Sequence, residues 1–147
     1  MRTETIIRTL YKFNELAEKA KSKALEKLYD LNVGHDWWGS TYEDAERIGA
    51  KITEFDISRS NSIKMSFSLN PEKVAKLIFK EHGKTCETFK LAKQFELDRN
   101  TEEFERALGE EYLHMLRREY EYLTSEKAIV ETIEANEREF TEDGSLV

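Results

Sequence analysis

A single cysteine, Cys86, and a single proline, Pro71, stand in a chain of 147 residues that holds only six glycines. One cysteine cannot close an internal disulfide, so a reducing compartment is the expected setting. So little proline and glycine, with no repeat or low-complexity tract, argues against a linker and predicts a single domain over residues 1–147. Long apolar runs are missing too. The start, "MRTETIIRTLYK", has no stretch of signal-peptide length, and no segment reaches the length of a membrane span. A soluble, cytoplasmic protein with no membrane partner is the expectation. There is no Walker A loop, no glycine-rich dinucleotide turn, no Cys-x-x-Cys pair and no Gly-x-Ser-x-Gly.

What is present is charge and aromatic mass. Charged residues make up 36% and hydrophobic residues 39%, while eight Phe, six Tyr and two Trp supply the anchors that disordered chains lack. The net charge of −7 is unevenly spread: residues 1–95 hold 17 Lys and Arg against 14 Asp and Glu, residues 96–147 hold 6 against 16. The acidic part disfavours nucleic acid as a direct partner and favours a basic protein surface. Glutamate-rich helices that serve only solubility are the plain alternative.

The pattern predicts an α+β domain. "TETIIRTLYKF" reads as a strand from its β-branched and aromatic residues. Asn14 caps a helix from about Glu15 to Leu31, which turns Leu16, Ala17, Ala20, Ala24, Leu28 and Leu31 to one side. Ser40 and Glu43 form a capping-box pattern, and Gly49 marks the stop of that helix. "AKITEFDIS" and "SIKMSFSLN" form a hairpin in which Ile63, Met65, Phe67 and Leu69 share the core face. Asn70-Pro71 opens a helix that ends at Gly83. Thr85 opens the next, Asn100 with Glu103 a long one towards Leu123, and Thr124-Ser125 the last. The expected architecture is a three-stranded antiparallel sheet covered by five or six helices, with "FTEDGSLV" as turn and tail.

Few residues suggest catalysis. His35-Asp36 has the form used by metal-dependent phosphohydrolases, but that chemistry gathers several ligands, and the chain has only His35, His82 and His114. Glu111 and His114 make one Glu-x-x-His, where di-iron bundles need two. A solvated His114, a loop His35 and a buried, inert Cys86 are the favoured readings. No metal or cofactor is expected. Lys73, Lys76 and Lys80, with Lys84, Lys90 and Lys93 beyond, form a basic stripe. Glu72, Glu81 and Glu87 interrupt it without aromatic interleaving, so it reads as a solvated face.

Trp37 and Trp38 are adjacent, and adjacent side chains diverge in any regular backbone. They cannot share one pocket. One is expected to anchor a sheet–helix junction and the other to cover an edge, as core or as an interface anchor.

The segments "YKFNELAEKAKSKALEKL", "WW", "TYEDAERIGAKITEFDISR" and "YEYLTSEKAIVETIEANEREFTEDG" resemble a group of small proteins of bacteriophages and mobile elements of gut bacteria. The resemblance covers both ends of the chain and thins across residues 60–105. It carries no catalytic residue onto the chain. It implies a context in which small acidic proteins block host defence machines, CRISPR nucleases among them. The expected function is therefore a non-enzymatic, anti-CRISPR-like inhibitor of a bacterial nuclease. Its contact residues would be Trp37, Trp38, Glu119, Tyr120, Glu121, Tyr122, Glu126, Glu131 and Glu134. A metal enzyme built on His35, Asp36 and His114, and a homo-oligomeric structural or regulatory phage protein, are the alternatives.

Overall fold

In the computed structural model, which describes residues 1–147, ten elements follow one another. They are β1 (Tyr11–Lys12), α1 (Glu18–Lys27), α2 (Gly39–Arg47), β2 (Ala50–Asp56), β3 (Ser62–Phe67), α3 (Pro71–Glu81), α4 (Glu87–Asp98), α5 (Thr101–Leu123), α6 (Glu126–Ala135) and β4 (Glu139–Phe140). The class is α+β. The chain divides into two compact units, Met1–Trp37 with Tyr120–Val147, and Trp38–Glu119. The expected three-stranded sheet is replaced by two separate two-stranded antiparallel sheets, β1 with β4 and β2 with β3.

In the unit Trp38–Glu119 the hairpin forms as its alternation requires. Ile63, Met65 and Phe67 are half-buried, whereas Lys64 and Ser66 are exposed. An irregularity between Ile52 and Glu54 shifts the register, so Ile52 faces Met65 while Glu54 faces Lys64. Leu69 departs from expectation: it lies beyond β3 and is 40% exposed. Gly49 follows the end of α2 with φ +81°, the left-handed backbone that glycine adopts at no steric cost. The Ser40–Glu43 box does not form. The helix begins two residues earlier, at Gly39, and no side chain caps it, because Trp38 at the cap position already has helical dihedrals.

Asn70 accepts a hydrogen bond from the backbone N–H of Lys73 at 2.9 Å, with Pro71 at the first helical position. Asn100 likewise accepts from Glu103 N–H at 3.2 Å, but the Glu103 carboxylate turns to Arg106 rather than completing a box. The helix predicted from Thr85 starts at Glu87, with Cys86 at its cap. The core joins Ala45, Ile48, Ile52, Val74, Ile78, Ala92, Phe95, Leu108 and Tyr112. Phe95 and Phe104 stack with ring centroids 4.7 Å apart.

In the other unit, the strand predicted over 3–13 shrinks to Tyr11–Lys12, and residues 1–10 are exposed and have no regular structure. A strand needs a partner, and the one available here is the two-residue β4. The helix predicted from Glu15 starts at Glu18 and ends at Lys27. Leu16 is extended, with ψ 147°, which interrupts the helical path after a single tight turn at Phe13–Glu15. Ser125 caps α6 by accepting from Ala128 N–H, and Ala128, Ile129 and Ile133 point inward as predicted. The tail is more than a turn. Phe140 is fully buried, edge to face with Phe13 at 6.0 Å.

Candidate functional site

Each tryptophan has an aromatic neighbour within its own unit. Trp37 packs on Tyr120 with centroids 5.5 Å apart, and Trp38 meets Phe55 of β2 edge to face at 5.8 Å. Both indoles are half-buried. Trp38 thus fulfils the expected role at a sheet–helix junction, since it also immediately precedes α2. The division of the chain falls between them, and each ring contacts a residue of its own unit.

Of the predicted acidic residues, Glu121, Glu126, Glu131 and Glu134 belong to the unit that contains both termini, and Glu119 to the other. All five are exposed. The hydroxyl of Tyr122 donates to Glu131 Oε2 at 3.5 Å, which links the end of α5 to α6, and Tyr122 is 51% exposed. Asn32 braces the same two helices: its amide nitrogen donates to the Leu123 carbonyl at 2.9 Å, and its amide oxygen accepts from the Thr132 hydroxyl at 2.7 Å. Glu134 lines a cleft of about 570 Å³ together with Lys12, Asn14, Ile133, Glu137 and Arg138.

A polar cluster that sequence reasoning missed lies in the unit Trp38–Glu119. Asp44 on α2 accepts from the Tyr112 hydroxyl at 2.9 Å and lies 3.1 Å from His82 Nε2. His82 Nδ1 is 2.6 Å from the hydroxyl of Thr88, which is 1% exposed. A carboxylate carries no proton, so Nε2 must donate to Asp44 and Nδ1 is left to accept from Thr88 in the neutral ring. The His82 hydrogen bond holds the Asp44 carboxyl below its usual value, helped by Tyr112 and opposed by burial. Burial, then the Asp44 charge, pushes the Tyr112 hydroxyl up. The chain Asp-His-Thr has the membership of a hydrolase triad. Its hydroxyl is buried, however, and the arrangement ties α2, α4 and α5 to the end of α3. "TYEDA" held the aspartate, but no local pattern announces a partner 38 residues away.

The candidate metal residues are dispersed. His35, Asp36 and His114 are exposed, and no group of three or more His, Cys, Asp or Glu side chains is placed to hold a metal ion. Cys86, expected buried, is exposed: it stands at the cap position before α4, on extended backbone outside the helix. The lysine stripe also needs correction. Phe79 and Phe89 are half-buried rings 4.9 Å apart, and Lys93 Nζ lies 4.8 Å from the Phe79 centroid, so aromatics do accompany it. Lys90 and Lys93 pair with Glu87 and Glu96, which blunts the charge of α4.

Comparisons of the chain with protein-family models, curated proteins and solved structures return no match. The resemblance to phage proteins rests on the quoted motifs alone. No helix is long and apolar enough to cross a membrane.

Proposed function

We propose that the protein is a non-enzymatic binding protein of the host cytoplasm, a phage-type, anti-CRISPR-like inhibitor. It would cover a basic, nucleic-acid-binding surface of a bacterial defence nuclease. One observation carries this reading. Glu121, Glu126, Glu131 and Glu134 are exposed on one unit and none forms an ion pair, whereas Glu103 and Glu110 are neutralised by Arg106, and Glu111 lies near Arg118. Residues 120–147 carry eight acidic residues against two basic ones. Like charges such as Glu131 and Glu134, three apart on α6, repel each other in the free protein. A basic partner removes that cost and is steered in by the same field. Tyr122 supplies an amphipathic ring amid these carboxylates, a residue type that suits an interface anchor.

The deciding experiment is affinity capture from a bacterial lysate, followed by titration of the recovered partner at increasing salt. A nuclease or nucleoprotein whose affinity falls steeply with salt, and from which DNA displaces the protein, supports the reading. A partner bound equally well at all salt concentrations removes it.

A further inference from the structure

We propose that residues 3–10 of a second copy of this chain add as a third strand to the open edge of β3, so that the protein self-associates by strand exchange. The donor is conspicuous. In "TETIIRTL" the residues Thr3, Thr5, Ile6, Ile7 and Thr9 are β-branched, the composition of a strand. Yet the segment has no regular structure, and Ile6 and Ile7 are 80% and 92% exposed. It runs directly into Tyr11–Lys12, which β4 already holds in extended form. Extending that strand by a few residues costs less ordering than docking a free peptide.

The acceptor edge can be read from two hydrogen bonds. Ser68 N–H points towards β2 and bonds the Gly49 carbonyl at 2.8 Å. Phe67 N–H points the other way, to Glu105 Oε2 at 3.4 Å. Antiparallel alternation then places the N–H and C=O groups of Ile63 and Met65 on that outer side, where β3 has no strand neighbour. A groove of about 360 Å³ runs there beside α5, lined by Ile63, Met65 and Leu113 together with Glu102 and Glu105.

Donor and acceptor match in pattern and in charge. With period two, Ile6, Arg8 and Leu10 share one face of the added strand, and Thr3, Thr5, Ile7 and Thr9 share the other. Ile6 and Leu10 continue the apolar row of Ile63 and Met65, and Arg8 between them meets Glu102 and Glu105. None of these three charged groups is in an ion pair within the chain, whereas Arg106, also in the groove, is already held by Glu103 and Glu110. The threonines join the wet face of Lys64 and Ser66. Since the chain carries both halves of the contact, a second copy is a sufficient partner.

Sedimentation equilibrium from low to high micromolar protein tests the proposal, with Ile6→Pro/Ile7→Pro as the variant. Those residues are exposed, so at dilutions at which the parent dissociates to monomer, circular dichroism and thermal melting of the variant should match it. The parent should be dimeric or larger, and the prolines, which remove strand N–H groups, should weaken association at least about tenfold. In a Cys86→Ser background, Thr5→Cys chains mixed with Ser66→Cys chains should be joined by a short bismaleimide into a species of two chains, one of each variant. A monomer at every concentration overturns the proposal. So does association indifferent to the prolines, or absence of the mixed cross-link.

Discussion

The phenolic hydroxyl of Tyr112 on α5 donates to Oδ2 of Asp44 on α2 across 2.9 Å, and Tyr112 is fully buried. Tyr112→Phe keeps the ring's packing and deletes this bond, so a loss of about 1–2 kcal/mol is expected in urea melts. Asp44 sets a pH dependence. Its carboxyl titrates below the ordinary value of 3.8 in the folded chain. Its contribution to stability is therefore fully present above that value and is lost as pH falls through the lower, folded one. Asp44→Asn should be less stable than the parent near neutrality and should show a shallower decline in acid. Parallel acid limbs for the two proteins would remove Asp44 from the account.

Within the hairpin unit, the cost of truncating an aromatic should follow its depth. Phe95 is 2% exposed and stacked on Phe104, so Phe95→Ala is expected to cost about 3–5 kcal/mol. Phe67 is half-buried, with its ring 5.3 Å from that of Phe104, so Phe67→Ala should cost roughly 2 kcal/mol. Lys64→Ala and Ser66→Ala, on the wet face, should each stay within about 0.5 kcal/mol. Denaturant midpoints check the order.

Gly144 has φ +87°, and a Cβ there would lie 2.3 Å from the Ala20 carbonyl oxygen of α1. Gly144→Ala must strain the backbone and push the tail off α1, at a cost of at least about 2 kcal/mol. At Gly34 the nearest atom to an added Cβ is the Asp30 carbonyl at 3.7 Å. Gly34→Ala should therefore be within about 0.5 kcal/mol of the parent. Thermal melts of the pair make the comparison.

Replacing His35 and His114 together with Ala should leave binding of the captured partner and its inhibition unchanged, because both side chains are exposed and neither has a ligand set around it. A loss of activity with the fold intact, read by partner-inhibition assay beside circular dichroism, would favour the metal-enzyme alternative.

Charge reversal at Glu131 and Glu134 should slow association with the partner more than it speeds dissociation, since exposed charges act chiefly on the encounter. Surface plasmon resonance at two salt concentrations separates the rates. If reversal leaves both rates unchanged, these carboxylates are a solvated surface, and attention moves to Trp37 and Trp38.

The sequence by itself determined whatever depends on neighbours in the chain. Asn70-Pro71, Asn100 and Ser125 start helices because a short polar side chain can reach a backbone N–H two or three residues ahead. The alternation of β3 and the inward row on α6 are likewise periods of two and of about 3.6 read directly from residue types. Tertiary structure decided everything that requires a partner distant in sequence. "TETIIRTLYKF" has strand composition, but only Tyr11 and Lys12 find a strand to pair with, at Phe140 and Glu139. The Asp44–His82–Tyr112 cluster draws on three separated segments, and no local pattern encodes a hydrogen bond between residues 68 positions apart. The open edge of β3 has the same cause: propensity states that a segment will extend, and only the folded chain decides which edges remain unpaired.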